Sequence, residues 1–307
     1  MVFNVLSMAI NAAQRGAGNT KIAMRTNIVS NLVNIIFNYL LIGGNLGFPR
    51  LEVRGAAIAT VLGTICALFM SVFSVIHKDH FLCIREYWSF HFDRKTLKAI
   101  INIGSSSLIE QIFLRIGFLT YSIVVAHLGT VAFAAHQVGM NLMNISFSFG
   151  DGLSVASVAL VGKSLGEERE DLAKIYGGIC QRVGVFIACI ISITYFSLGK
   201  IIFSCFSNDP QIIDYGVMIM RMQAIVVFMQ VSQVIFSGCL RGAGDVKFTA
   251  FVSFISVMFI RPGSGWLFCY PLGLGLFGAW LGLAFDQMVR FLMTMARFKS
   301  GKWRKIK

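Results

Sequence analysis

Gln14-Arg15-Gly16-Ala17-Gly18-Asn19-Thr20-Lys21 returns, 226 residues further on, as Leu240-Arg241-Gly242-Ala243-Gly244-Asp245-Val246-Lys247. A second echo follows each copy, Val53-Arg54-Gly55-Ala56-Ala57 and Leu276-Phe277-Gly278-Ala279-Trp280, at an offset of 223. Two matches in one order at nearly one spacing mark an internal repeat. The glycines of Arg-Gly-Ala-Gly suit a tight turn ahead of a helix. A phosphate-binding role for that turn lacks the rest of a P-loop pattern.

The composition says what kind of chain carries the repeat. Of 307 residues 56% are hydrophobic and 13% charged, with 28 Phe against 4 Pro and a mean hydropathy of +0.73. A water-soluble domain carries about 25% charged residues, so this chain cannot furnish a polar shell; disorder and collagen-like repeats are excluded as well. We read an all-α polytopic membrane protein. Apolar segments stand near 23–44, 53–77, 98–127, 131–162, 176–199, 212–240, 246–270 and 276–297. A bilayer core takes roughly 20 helical residues, so these make about eight complete transmembrane helices.

The net charge of +13 follows from where the basic residues sit. Alternate loops face alternate sides. One side holds Arg15, Lys21, Arg25, Lys78, Arg85, Arg94, Lys95, Lys98, Lys163, Arg169, Lys174, Arg241, Lys247, Arg297, Lys299, Lys302, Arg304, Lys305 and Lys307, nineteen in all, and the other only Arg50, Arg54 and Lys200. The positive-inside rule makes the rich side cytoplasmic, C-terminus included, and absorbs the basic excess without a nucleic-acid partner. The terminal Lys302-Trp303-Arg304-Lys305-Ile306-Lys307 run is expected to rest on anionic headgroups. Seven Cys, an odd number with no C-x-x-C pair, read as small core residues with no metal site or disulfide framework. Met1-Val2-Phe3-Asn4 lacks the charged region and cleavage site of a signal peptide.

Six segments separate the two Arg-Gly-Ala-Gly copies, so both lie on the cytoplasmic side and the repeat is parallel, with a pseudo-twofold axis along the membrane normal. Four spans, beginning near residue 98, precede Arg241, whereas 14 residues precede Arg15. Equivalent units therefore require about 130 residues and three spans ahead of Met1, with residues 1–13 the inner half of a fourth, in a parent of about twelve spans. The expected organisation is 1–77 as the rear of a first lobe, 78–97 as a cytoplasmic amphipathic linker, 98–298 as a complete second lobe and 299–307 as a basic tail.

Charged groups in hydrocarbon cost about 2.5–3.5 kcal/mol on insertion scales, so those present are expected to face protein or water. Of 14 acids, Glu110, Asp151 and Asp286 fall within spans. Glu110, near mid-span, is a candidate proton or cation exchanger, unless Arg115 or another helix holds it permanently neutralised. Asp286 and Arg290 stand at i, i+4, the spacing of a structural helical ion pair. Gly150-Asp151-Gly152 reads as a flexible or broken point, with Asp151 a lesser candidate for a direct role. Arg115, Arg182, Arg221, Arg261 and Arg290, all arginine and never lysine, look like interhelical struts. Arg261-Pro262-Gly263 reads as an interruption of its span, near a gate.

Uncharged polar residues form stripes. Asn27, Asn31, Asn34 and Asn38 share one helix face; Gln137, Asn141, Asn144, Ser148 and Asp151 repeat the pattern, and Gln223, Gln230, Gln233 and Ser237 approximate it. Such amides either line a hydrated cavity or bond a neighbouring helix. Three stripes together point to a shared polar interior. His136 abuts one stripe and is either a titrating group or a satisfied structural donor.

The chain resembles the multidrug and toxic compound extrusion (MATE) transporters, in the branch similar to DinF-type bacterial proteins. The matching stretches are Arg15-Gly-Ala-Gly-Asn-Thr, Asn31-Leu-Val-Asn-Ile-Ile-Phe-Asn-Tyr-Leu-Leu-Ile, Gly47-Phe-Pro, Gly55-Ala-Ala-Ile-Ala-Thr, Glu110-Gln111 with Arg115-Ile-Gly, Ala134-Ala-His-Gln, Leu160-Val-Gly with Leu165-Gly, and Leu240-Arg-Gly-Ala-Gly-Asp. The resemblance implies the twelve-helix MATE fold, here without its first three helices and most of the fourth. It also implies two six-helix lobes around a cavity that opens alternately to each side. The expected activity is export of organic cations in exchange for H⁺ or Na⁺, by a monomer without a cofactor in a bacterial cell membrane. Glu110 falls where sodium-coupled relatives have a cation-binding Glu; their partner Asp is Gln230 here, which weakens such a site. The N-lobe network of proton-coupled relatives maps onto Asn34, Asn38 and Thr60, with Asn38 in place of an Asp. Asn carries no proton at neutral pH, which leaves Glu110 as the coupling candidate.

The alternative within transport is a lipid-linked precursor flippase of the same superfamily, which should show a strongly cationic cavity. A membrane enzyme would need clustered His, Asp or Glu near an interface, and His77, His80 and His91 are scattered in the linker. A third reading is a fragment inactive without the rest of its first lobe.

Overall fold

The computed structural model describes residues 2–76 and 94–305, and all of the regular structure among them is helical. The chain divides into two compact units, residues 1–92 and 93–307. The expected linker 78–97 falls largely outside the described residues, as do His77, His80, His91 and Cys83.

In the first unit, α1 (Val2–Gly16) and α2 (Thr20–Gly43) both pack on α3 (Glu52–Ile76). Hydroxyls and amides join α1 to α3. Ser7 Oγ lies 3.1 Å from Ser71 Oγ, and Gln14 Nε2 donates to Ser74 Oγ at 3.0 Å. Small polar residues let helices approach closely in an apolar solvent while satisfying each other's hydrogen bonds.

The second unit runs α4 (Arg94–Ala126), α5 (Thr130–Gly166), α6 (Glu170–Ser204), α7 (Pro210–Gly242), α8 (Val246–Ile255), α9 (Arg261–Cys269) and α10 (Gly275–Lys299). Its hub is α7, which packs against α5, α6 and α10 and buries every residue from 230 to 240. A helix buried on every face lies inside a helical assembly rather than at its surface. Its start is well specified. Asp209 Oδ1 accepts from the Gln211 N–H at 2.9 Å, and Pro210 occupies the first helical position, where its missing N–H costs nothing.

Among the described residues, eight helices are long and apolar enough to span a bilayer: 20–43, 52–76, 96–126, 130–166, 170–204, 210–242, 246–269 and 275–299. Two local expectations are corrected. Gly150-Asp151-Gly152 does not break its helix, because α5 runs through it without interruption. A glycine inside a helix costs only about 1 kcal/mol, less than leaving backbone groups unbonded in hydrocarbon. Arg261-Pro262-Gly263 does not end its span either. Ser256–Ile260 forms a π-turn directly ahead of it, with the Arg261 N–H donating to Ser256 O, five residues back. The wider turn accommodates a pyrrolidine ring that carries no N–H, and the helix continues.

The repeat is present at the level of individual bonds. Helix α1 ends with Gly18 N donating to Arg15 O at 3.0 Å and Asn19 N to Gln14 O at 2.9 Å. Helix α7 ends with Gly244 N donating to Arg241 O at 3.0 Å and Asp245 N to Leu240 O at 2.9 Å. Both are Schellman caps, with Gly18 at φ +88° and Gly244 at φ +83° in the left-handed region that only glycine enters freely. The second echo repeats a close approach. A Cβ on Gly55 would lie 2.6 Å from Leu41 O, and one on Gly278 would lie 2.5 Å from Phe268 O. A further pair obeys the same offsets: Ser30 Oγ donates to Gly63 O at 2.8 Å, and Ser256 Oγ lies 3.5 Å from Asp286 O.

Candidate functional site

Within the second unit, α4, α5, α7, α8 and α10 enclose a cavity of about 350 Å³. Its walls carry Glu110 and Arg115 from α4, Asn144 and Asp151 from α5, Gln233, Ser237 and Arg241 from α7, Ser253 from α8 and Arg290 from α10. Apolar Leu114, Phe118, Phe147 and Val234 fill the spaces between them. The polar stripe of α5 therefore reaches the cavity through Asn144 and Asp151, while Gln137 and Asn141 are exposed on the same face.

Glu110 is 3% exposed. Its Oε1 accepts from Arg241 Nη2 at 2.9 Å and from Ser253 Oγ at 2.9 Å. The neighbour that neutralises it is thus the Arg of the repeated motif, not Arg115. Arg241 lies in the last turn of α7 rather than in the turn beyond, so its long side chain reaches the cavity wall. That side chain is 40% exposed, against 4% for the Glu110 side chain. Arg115 is exposed on the cavity wall, and no ion pair joins it to a carboxylate among the described residues.

Asp286 is fully buried behind this cavity. Its Oδ2 accepts from Arg261 Nε at 2.9 Å and Nη2 at 2.6 Å, while Arg290 Nε stands 3.9 Å away. The expected helical pair Asp286–Arg290 is therefore secondary, because a carboxylate takes the guanidinium that can present two N–H groups to it. Arg261 also lies over the Phe118 ring, 4.5 Å from its centroid. Of the five arginines read as struts, Arg261 and Arg290 are buried against Asp286, whereas Arg182 and Arg221 are exposed.

The structure does not bring Gln230 to Glu110. Gln230 Oε1 accepts from Gln223 Nε2 at 2.7 Å, and its own Nε2 donates to Met143 O at 3.1 Å. With its Nε2 engaged by α5 and its Oε1 by Gln223 of its own helix, Gln230 bonds α7 to α5; only Gln233 and Ser237 of that stripe reach the cavity. His136 is 1% exposed and is enclosed by the rings of Tyr121, Phe133 and Trp280, with centroids 5.5, 6.4 and 5.7 Å away.

In the first unit, Asn38 Nδ2 donates to Asn34 Oδ1 at 2.9 Å, and Asn34 Nδ2 approaches Thr60 Oγ1 at 3.4 Å. The three residues matched to the proton-coupled network thus lie together. Asn27 and Asn31 are exposed on the same helix. Arg241 and Ser253 are the site residues missed by sequence reasoning, whereas Arg261, read as an interhelical strut, bonds Asp286 of a neighbouring helix. The repeat carried a signal for Ser253, which stands 226 residues after Asn27 of the asparagine stripe.

Among the described residues no group of three or more His, Cys, Asp or Glu is placed to hold a metal ion. The cavity offers one buried carboxylate held by two donors, a second carboxylate at Asp151, and guanidinium groups on facing helices. Such a wall can hold a small cation or a polar ligand through ionic and hydrogen bonds.

Comparison with known proteins places this arrangement. The chain is 28% identical to the probable multidrug resistance protein NorM of Thermotoga maritima, over 99% of this chain and 65% of that protein. It is 28% identical to the uncharacterized transporter YisQ of Bacillus subtilis, over 97% and 65%, and 27% identical to the multidrug resistance protein MdtK of Edwardsiella ictaluri, over 92% and 63%. The chain thus spans about 65% of the length of the curated relatives it matches. In fold it is similar to an outward-facing multidrug resistance MATE family transporter of the MOP superfamily, with a TM-score of 0.85 at 20% identity over 97% of this chain and 67% of that one. It is equally similar, at 0.85 and 20% over 96% and 65%, to a MOP superfamily transporter from Pyrococcus furiosus described as having a binding pocket of reverse polarity. The MatE family model matches residues 1–40 and 107–267, and the chain belongs to that family, the multidrug and toxic compound extrusion transporters.

Proposed function

We propose that the protein works as a secondary active antiporter that exports organic cations from the bacterial cell in exchange for H⁺ or Na⁺, with Glu110 as the exchanging group. The observation that carries this reading is a carboxylate 3% exposed, at mid-span, on the wall of a polar cavity and held there by a half-exposed arginine. A buried ionisable group inside a membrane is costly and is usually tied to an ion or substrate pathway. The names of NorM and MdtK relatives support multidrug efflux as the class of activity. The basic bias of alternate loops supports a cytoplasmic C-terminus. The same reading makes residues 1–77 part of an N-lobe, 98–298 the C-lobe, and Asn34, Asn38 and Thr60 a polar face of the N-lobe. No cofactor enters the cycle.

Ethidium efflux from cells expressing the protein, with Na⁺ and pH gradients imposed separately, tests the assignment. Glu110→Gln is expected to abolish the gradient-driven component, and full efflux in that variant would overturn it.

One observation favours a second reading, translocation of an anionic lipid-linked precursor: the cavity presents three arginines, Arg115, Arg241 and Arg290, against two carboxylates, Glu110 and Asp151. That reading predicts loss of activity in Arg115→Gln and tolerance of Glu110→Gln. Glu110 is paired with Arg241, so the cavity wall carries an excess of one positive charge and not the strongly cationic lining that reading requires, which favours the antiporter.

A further inference from the structure

Arg241 holds Glu110 in the site, and it belongs to the motif that defines the repeat. It donates to the same oxygen of Glu110 as Ser253 does, both at 2.9 Å. A cation that approached that oxygen would have to displace the guanidinium. The two members of the pair are unlike in one decisive respect: the Glu110 side chain is 4% exposed and the Arg241 side chain 40%. The carboxylate is fixed in the wall, and the guanidinium lies where water can receive it. Arginine keeps its charge under all conditions in a protein, so it can leave the carboxylate only by moving.

The structure also shows what holds Arg241 in place. Immediately beyond the Schellman cap of α7, Asp245 Oδ2 accepts from Arg297 Nε of α10 at 2.8 Å, and Arg297 lies over the Phe248 ring at 4.9 Å. A Cβ on Gly242 would lie 2.7 Å from Val158 O, so the end of α7 is seated against α5. The backbone that carries Arg241 is thus anchored on both sides, and only its side chain is free to swing.

We propose that Arg241 is a tethered competitor cation: it occupies Glu110 whenever no transported ion is bound and must be displaced for an ion to bind, so that it sets the affinity of the site and speeds release. This rests on the reading of Glu110 as the exchanging group. The account makes Arg241 a positioning and affinity-setting residue. Arg115, Arg290 and Asp151 share the cavity wall with Glu110 and contribute a field there. None of the three has a hydrogen bond to Glu110 among the described residues, so the competition is assigned to Arg241 alone.

The test is equilibrium binding of radioactive Na⁺ to the purified full chain in lipid nanodiscs at alkaline pH, where protons compete least for a carboxylate. Arg241→Gln is expected to bind Na⁺ at least about tenfold more tightly than the wild type, a change expected when a competing positive charge within hydrogen-bond distance of a carboxylate is removed. The gain should vanish in the double variant Arg241→Gln/Glu110→Gln. Arg241→Lys, which keeps a charge but loses the rigid planar fork, should fall between wild type and Arg241→Gln, and it keeps the test alive if the glutamine variant does not fold. Unchanged Na⁺ affinity in both Arg241 variants, with thermal unfolding lowered, would show a strut and overturn the proposal. The efflux assay judges the antiporter reading separately: a wild type that exports ethidium through Glu110 together with unchanged Na⁺ affinity in the Arg241 variants would sink the competitor and leave the antiporter standing.

Discussion

Two of the carboxylate–arginine pairs described in the second unit, Asp286–Arg261 and Glu110–Arg241, differ in what surrounds them. Asp286 and Arg261 are both 0% exposed, joined by two N–H bonds to one oxygen, with Arg290 as a more distant counter-charge. Glu110 and Arg241 are joined by a single N–H bond on a cavity wall, and Arg241 is 40% exposed. The chemistry of the partners is the same. The first pair cannot open without stranding two charges in a dry interior, where each costs several kcal/mol. The second can open toward the cavity, with water or an incoming ion taking the place of the lost partner. Burial therefore separates a structural pair from an exchangeable one, and sequence spacing alone does not.

The largest expected effect falls on the sealed pair. Asp286→Asn removes one partner and leaves Arg261 uncompensated, so it should lower stability by about 3–5 kcal/mol, read as a fall in the thermal midpoint in detergent. Replacing both members by apolar residues, Arg261→Met with Asp286→Leu, should bring stability back to within about 2 kcal/mol of the wild type. A double variant as unstable as Asp286→Asn would mean that the pair specifies the fold in some way beyond charge balance.

Glu110→Gln should cost less stability, about 1–2 kcal/mol, because Arg241 can turn to the cavity and an amide oxygen still accepts from Ser253. The same variant should lose gradient-driven efflux, so its two readouts should diverge; a stability loss as large as that of Asp286→Asn would erase the distinction between the pairs. The smallest effect belongs to Ser253→Ala, about 1 kcal/mol of stability from one hydrogen bond on a carboxylate that keeps its arginine. Measured by ethidium efflux, Ser253→Ala should remain active with a changed dependence on ion concentration.

Much of the fold was legible because it follows from periodicity and solvent. Eight apolar stretches became eight helices long enough to span, and the repeat at Arg15 and Arg241 reappeared as two identical caps, bond for bond. Even so, a third helix end takes the same form without glycine: Glu168, at φ +59°, holds the left-handed position after α5. Such a position costs a residue with a Cβ roughly 1–2 kcal/mol, so sequence pattern passed it over. The site was legible where a single residue sufficed, as for Glu110 and the stripe from Asn144 to Asp151. It was not legible where two distant helices had to meet. The pattern marks Arg241 only as part of a turn, and it marks Arg261 as a strut without naming Asp286, because the partners are 131 and 25 residues away and depend on how each helix is rotated. Gln230 shows the converse. Its position matched a family ligand, yet the rotation of α7 turns it toward Gln223 and Met143 O.

The contrast between the pairs is tested most directly by carbodiimide labelling of the purified protein, with modified carboxyls located by mass spectrometry. The reagent attacks carboxyl groups reachable from an apolar phase when their partner lets go. The account predicts modification of Glu110, slowed by Na⁺ or ethidium, and none at Asp286 in the folded protein. Labelling of Asp286 at the same rate as Glu110, or labelling of Glu110 that no cation slows, would contradict it.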